Sequence, residues 1–355
     1  MSNQHPAAAL SADIQTAPVQ SGKKYLNYIH HFRGVAILYV VASHVVVDWA
    51  PDSNTARIIG VLMQNVTILF LFIAGYLFQH LSGKFEYRDY MKKKVQHVIC
   101  PYLFLSAIII TARLVFNSIP EPTLRQHPDF GQWPHWEQAA YYLLRGTHMQ
   151  QLWFIPMITM YYVIAPFFIY IDRHPRLYYL LIPFYIISLL VHRSDLSHTF
   201  TMAIHFLSVY LFGMFLSHYK EQYLAFAKKY WLLITVMAPL FWVLTYYAPS
   251  GIYDSVDFTQ KLLFCCFFIY WLWKLDKYMP SFIHVLATLS FGIYYVHYFF
   301  VMLLRGLSNR FFHHGIPGTL LNWVICLILT TVMSVILLKL VKRIAGDKSK
   351  YFVGC

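Results

Sequence analysis

The sequence predicts an all-α, polytopic integral membrane protein with about ten transmembrane helices and cytosolic N- and C-termini. Three observations carry that prediction. Of 355 residues, 58% are hydrophobic and 19% aromatic, while Asp, Glu, Lys and Arg together supply 12%, about half the share usual in soluble proteins. The apolar residues gather in runs close to the ~20 residues that a hydrocarbon core requires. The 28 basic and 15 acidic residues give a formal charge of +13, but the bases lie between the apolar runs and not in the single patch that nucleic acid demands. A lipid bilayer is therefore the expected partner, and nucleic acid is not.

Residues 1–22 are polar and rich in Ala, Gln and Ser, with no apolar core before Leu26; they read as a disordered cytosolic tail and not as a signal peptide. Spans follow near 26–48, 56–80, 96–119, 149–171, 177–192, 199–218, 230–248, 257–275, 282–305 and 316–341. The fifth is short and ends in His192 and Arg193. Together they make a transmembrane domain over 23–344, with a cytosolic tail over 345–355. Orientation follows from Lys and Arg in the connections. Nineteen, among them Lys23, Lys24, Lys92, Lys93 and Lys94, fall on the N-terminal side, and seven (Arg57, Arg125, Arg145, Arg193, Lys261, Arg305 and Arg310) fall on the other. Arg33 and Arg113 lie inside spans, Arg113 near an outer end where it is expected to snorkel.

The long outer connection, 120–148, holds four prolines, several Trp and Tyr, and Glu121, Asp129, Glu137, Arg145 and His148. Two readings stand. Aromatic faces beside carboxylates suit a sugar ring, which makes Glu137 and His148 candidate acceptor-binding residues; equally, Trp133, Trp136, Tyr141 and Tyr142 suit an interfacial aromatic belt. The five cysteines, Cys100, Cys265, Cys266, Cys326 and Cys355, show no CxxC spacing and read as buried thiols, so no metal site is expected. No internal repeat is evident, which disfavours a transporter built from two related halves.

Ionisable groups at membrane depth are costly and mark function by default. The first span carries His30, His31, Arg33 and His44. Arg33 and His44 are eleven positions apart, which at about 100° per residue leaves them only ~20° from one face and ~16 Å apart along the axis. Gly34, Ile37 and Val41 between them are slim enough to leave a groove. An arginine at one end suits a phosphorylated head. Coenzyme A has such a head and a pantetheine arm long enough to present its thioester near His44. Histidine there would act as general base on an acceptor hydroxyl, with Asp48, four residues on, orienting the imidazole. His30 shares the Arg33 face and would help to bind phosphate. The alternative is that Arg33 snorkels and His44 makes an interhelical hydrogen bond.

Arg33-Gly34 leading to His44 within an apolar first helix resembles the signature of the membrane-bound acyltransferase-3 family. Leu69-Phe70-Leu71-Phe72-Ile73-Ala74-Gly75-Tyr76-Leu77-Phe78 is similar to that family's second-helix segment. The basic turn Lys92-Lys93-Lys94 and Cys100-Pro101-Tyr102-Leu103 follow in order. Leu152-Trp153-Phe154-Ile155-Pro156 resembles the start of the fourth helix, and Ser290-Phe291-Gly292-Ile293-Tyr294-Tyr295-Val296-His297 resembles the ninth. The resemblance covers residues 26–341. It implies transfer of an acyl group, commonly acetyl, from acetyl-coenzyme A or another acyl-coenzyme A to an extracytoplasmic carbohydrate, either a polysaccharide or a lipid-linked oligosaccharide, at the bacterial inner membrane. His44 is then the catalytic residue, with Arg33, His30 and Lys93 toward the donor and Trp153, Tyr294 and His297 toward the substrate chamber. Trp153 and Phe154 either gate that chamber or pack; Tyr294 and His297 either line it or form a core pair. Ala74 stands where the family usually has Ser, and Gln151 where many members have His, with His148 three residues earlier. Some relatives carry an added hydrolase-like domain; the chain ends soon after its last span, so it is expected to acylate the final acceptor itself or to hand the group to another polysaccharide-assembly protein. A transporter or flippase using the same Arg and His is the non-enzyme alternative, and acylation of a lipid or small molecule is the enzymatic one.

Overall fold

Helix α1 (Asn27–His44) stands in the middle of the structure, a computed structural model that describes residues 26–191 and 198–354. The expected tail 1–22, Lys23, Lys24, His192, Arg193 and Cys355 lie outside the described residues. Ile29, Phe32, Ala36, Ile37 and Val41 of α1 are fully or almost fully buried, because helices and not lipid surround them. Its histidines and arginine lower its mean hydropathy, and it is not among the helices apolar enough to qualify as a span by composition. Polar groups are tolerated there because protein neighbours satisfy them.

The chain continues through α2 (Asn54–Met63), whose start is capped by Ser53 Oγ accepting from the Ala56 N–H at 3.2 Å, and α3 (Thr67–His80). Helix α4 (Tyr87–Lys94) runs through a π-helical turn, Val95–Ile99, into α5 (Cys100–Val115). The connection that follows is not extended: α6 (Glu121–Gln126) and α7 (His135–Arg145) fold over a small core of Phe130 and Tyr142 beneath Ile110. Helix α7 stops at Gly146, whose φ of +69° suits a residue without a side chain. Helices α8 (Phe154–Val163) and α9 (Ala165–Arg173) meet at a 57° bend, where Pro166 removes a backbone donor. Then come α10 (Leu181–Leu190), α11 (Thr199–His218), the Lys-rich α12 (Lys220–Lys229), α13 (Trp231–Tyr247), α14 (Ser250–Lys274), α15 (Ser281–Phe312) and α16 (Leu320–Ala345). Residues 345–354 do not trail away as a tail, since α17 (Ser349–Phe352) docks on α5, with the Phe352 and Phe104 rings 5.0 Å apart.

The protein is thus an all-α, multi-pass membrane protein; no strand occurs among the described residues. Among the described residues, six helical segments are long and apolar enough to cross a bilayer, or up to eight if each bent pair is one span. Helix α1 and the short Pro175–Leu190 segment, which the sequence also counts as spans, do not meet that criterion, so the expected ten stand against six to eight. The outward faces are apolar: on α16, Leu321, Ile325, Ile328, Val332, Ile336 and Leu340 form one exposed stripe at helical spacing. Such a face belongs against lipid.

Close backbone approach fixes the interior. A Cβ at Gly75 of α3 would collide with the Tyr210 carbonyl of α11, and one at Gly213 with the Phe72 carbonyl. The two glycines let α3 and α11 interlock, as small residues do in membrane bundles. Gly34 does the same for α1, but this corrects the expected groove: the Ile283 carbonyl of α15 occupies the space above Gly34. Lys261 is also corrected. It is not on an outer connection but fully buried within α14, its Nζ 2.9 Å from Asp257 and 2.8 Å from the Val61 carbonyl. Of the other expected outer bases, Arg57, Arg125, Arg145 and Arg310 stand within about a turn of a helix end, Arg305 lies two turns before the end of α15, and Arg193 is outside the described residues.

Candidate active site

Because α1 is unbroken from Asn27 to His44, Arg33 and His44 keep their common face and their separation of ~16 Å. At the Arg33 end, the guanidinium Nη2 donates to Ser290 Oγ of α15 at 3.0 Å. Lys94, at the end of α4, lies close enough to Arg33 for the two charges to repel. Its Nζ stands 4.7 Å from the centre of the Tyr162 ring and 5.2 Å from that of Tyr90. Lys93 is instead exposed on α4. Two half-buried cations near one another suit an anion. His30 belongs to the same end. Its ring is 5.3 Å from that of His284, which in turn shares a 2.9 Å hydrogen bond between Nε2 atoms with His31. Asp276 lies 3.2 Å from His31 Nδ1.

At the other end, His44 lines a cavity of about 440 Å³, counting the space open to solvent, together with Ser43, Thr67, Gln151, Phe154 and Tyr294. Its ring is 5.2 Å from that of His297 and 5.7 Å from that of Tyr298. His297 is fully buried, and its Nδ1–H donates to the Ile293 carbonyl at 2.9 Å. That bond fixes the tautomer, leaving Nε2 as an acceptor that no described residue engages. Tyr294 donates its hydroxyl to the Gln151 carbonyl at 2.6 Å and so ties α15 to the turn before α8. Gln151 is buried with Oε1 unpartnered among the described residues. Phe154 reaches this cavity, whereas Trp153 stacks on Phe206 with ring centroids 6.0 Å apart.

Four residues depart from the expected placement. The helical spacing by which Asp48 would orient His44 does not exist, because α1 ends at His44 and Val45 is extended. The Asp48 N–H donates to the Ile316 carbonyl at 2.7 Å, and its own carbonyl accepts from the Gly318 N–H at 3.0 Å. This pairing draws the chain out of the helix. His148 lies outside the cavity lining: its Nδ1–H donates to the Tyr142 carbonyl at 3.1 Å, and Nε2 accepts from the Ser106 hydroxyl at 2.8 Å. Arg113 does not snorkel, since Nε donates to the His148 carbonyl at 2.6 Å and Nη1 to the Ser118 carbonyl at 2.7 Å. These bonds fasten the 120–148 connection to α5. Glu137 stands in the first turn of α7, half-buried and away from the His44 cavity lining.

Sequence reasoning missed Lys94 as the base facing Arg33, since three successive lysines do not reveal which one points inward. It noted Gln151 only as a departure from a family pattern, although a buried amide directly before Leu-Trp-Phe was a signal in itself.

An arginine and a histidine thus stand at opposite ends of one buried helix of a multi-pass membrane protein, the histidine beside a mostly apolar cavity with a few polar groups. The family model described as an acyltransferase domain matches residues 26–339, and the chain therefore belongs to the acyltransferase-3 family. Neither the curated proteins nor the solved structures gave a match.

Proposed function

We propose that this protein is a transmembrane O-acyltransferase of the bacterial inner membrane, moving an acyl group, acetyl by preference, from cytosolic acyl-coenzyme A to a hydroxyl of an extracytoplasmic glycan. The observation that supports this reading is the ~16 Å separation of Arg33 and His44 on one face of α1, with a second cation, Lys94, near Arg33 and a largely apolar cavity beside His44 that also carries Ser43, Thr67 and Gln151. Arg33 and Lys94 would hold the donor phosphates, with His30 beside them, and the pantetheine arm would reach toward His44 by a path other than the space above Gly34, which α15 fills. In the cavity, a His44 ring nitrogen takes the proton of the acceptor hydroxyl as its oxygen attacks the thioester carbonyl carbon. The C–S bond then breaks, and the proton passes from His44 to the departing coenzyme A thiolate. The result is an ester and free coenzyme A, with the charge balance closed. Phe154 and the apolar walls exclude water that would otherwise hydrolyse the thioester.

Purified protein in nanodiscs, supplied with ¹⁴C-acetyl-coenzyme A and a surface-glycan extract, tests this. Transfer of label to glycan that depends on His44 supports the reading. Movement of intact solute with no thioester cleavage would replace it with transport.

A further inference from the structure

A fully buried ion pair, Asp257 and Lys261, stands beside the break between α2 and α3, and no step of the proposed reaction uses it. Lys261 Nζ donates to Asp257 Oδ1 at 2.9 Å, to Gln260 Oε1 at 2.7 Å and to the Val61 carbonyl at 2.8 Å, which occupies all three ammonium protons. The other Asp257 oxygen accepts from the Asn65 side-chain amide. Asn65 has φ of +53°, a left-handed conformation that costs most side chains energy and that asparagine tolerates better than most. A buried charge pair thus holds a turn that the backbone resists, and such turns gather at functional sites.

The turn leads straight into Val66 and Thr67, both in the lining of the His44 cavity. Val40, Phe70, Phe154 and Phe291 make up much of the rest, and they offer nothing to a negative charge. Most polar donors of the lining are already committed. The Ser43 hydroxyl donates to the Val40 carbonyl at 2.8 Å and the Tyr294 hydroxyl to the Gln151 carbonyl at 2.6 Å. The Gln151 amide nitrogen donates to Met149 Sδ at 3.0 Å and to the Tyr295 carbonyl at 3.4 Å. The backbone at the start of α3 is taken as well, since the Ile68 and Leu69 N–H groups donate to the Asn65 and Val66 carbonyls at 3.0 Å each. The hydroxyl of the half-buried Thr67 differs: it enters no hydrogen bond among the described residues. Apart from His44, it is the side-chain donor that the lining leaves for a ligand.

We infer that the Thr67 hydroxyl is the oxyanion donor of the acyl transfer, an inference that rests on the acyltransferase reading above. When the acceptor oxygen bonds to the thioester carbon, the π electron pair of the C=O bond moves onto the carbonyl oxygen. Thr67 donates a hydrogen bond to that oxyanion and keeps its own proton. The electron pair then re-forms C=O as the C–S bond breaks, and coenzyme A leaves as the thiolate that His44 protonates. A donor fixed in a largely apolar chamber stabilises developing charge more than the same donor in water, because little screens it and it need not reorient.

Release of coenzyme A from acetyl-coenzyme A, by the full-length protein in nanodiscs with a saturating surface-glycan extract, is the test. Thr67→Val keeps the shape and removes the hydroxyl; it should lower kcat by about 100-fold, with KM for acetyl-coenzyme A and the half-saturating amount of extract unchanged. Thr67→Ser keeps the hydroxyl and should recover at least about tenfold of that loss. The sulfur analogue acetyldithio-coenzyme A separates catalysis from packing. Sulfur accepts hydrogen bonds weakly, so with this donor the loss in Thr67→Val should shrink to less than about tenfold. Thermal unfolding checks that the variants are folded, and Thr67→Ala takes the place of the valine variant if that one is not. Equal losses with the oxygen and sulfur donors, or a serine variant as slow as the valine one, would overturn the inference. So would a kept kcat with a raised half-saturating amount of extract, which would make Thr67 an acceptor-binding group. A wild-type rate in folded Thr67→Val, with cleavage still dependent on His44, removes this inference and keeps the enzyme; no thioester cleavage by the wild-type protein removes both.

Discussion

At the scale of single residues, the polar groups of α1 differ in what holds them. Arg33 is placed by Ser290 and faced by Lys94; His44 is placed by the end of its helix and by the His297 and Tyr298 rings. Two predictions follow from that difference. His44→Ala should lower acyl transfer at least ~100-fold, the usual worth of a positioned general base, with the melting temperature within a few degrees of wild type; labelled-glycan counting checks the first and thermal unfolding the second. Arg33→Ala should weaken coenzyme A binding by roughly 10- to 100-fold, matching the ~1.5–3 kcal/mol of a charge-assisted hydrogen bond, while acceptor affinity stays unchanged. An equal loss for both substrates would mean that Arg33 holds the fold and not the donor. The Arg33–His44 relation was legible in the sequence because a helix is periodic. Their neighbours were not: Ser290, Lys94, Gln151 and His297 come from other helices, and no local pattern specifies which of them turn inward.

At the scale of elements, the break between α2 and α3 is held by an ion pair. Asn65 at this break has φ of +53°, and its amide donates to Asp257, which is bonded to Lys261. Val66 and Thr67, the next residues, line the His44 cavity. Lys261→Met would strand a buried carboxylate and should cost ~3–5 kcal/mol, whereas the double variant Lys261→Met with Asp257→Leu should recover most of that loss. Equilibrium unfolding in mild detergent distinguishes the two. From sequence alone, Lys261 counted as an outer base, since it lies early in a helix that the hydropathy ruler began at residue 257. The structure begins α14 at Ser250, two turns sooner, and so carries Asp257 and Lys261 into the bundle, four residues apart on one face. The glycine pair between α3 and α11 allows a similar test: Gly75→Ala should destabilise by ~1–3 kcal/mol, as overpacking does, because the atom it meets is backbone and cannot turn aside.

At the scale of the molecule, apolar outward faces surround α1, whose polar groups gather at its two ends, around Arg33 and around His44. The orientation of the bundle in the bilayer is a matter of topology, and we propose from the excess of Lys and Arg on one side of the chain that the 120–148 connection faces away from the cytosol. Trp133→Cys should therefore react with a membrane-impermeant maleimide added to intact spheroplasts, and labelling only after lysis would reverse the orientation. The four described cysteines are free thiols, so the variant needs them replaced first. Composition and apolar run length determined by themselves that this is a helical membrane protein, and the eleven-residue spacing set Arg33 and His44 on one face, since both depend on local periodicity and on the thickness of a bilayer. Only the tertiary structure decided that α15 fills the space above Gly34, that Asp48 leaves the helix, and that His148 fastens a loop. Each of these depends on contacts between segments far apart in the chain, where the partner is chosen by packing and not by position in sequence.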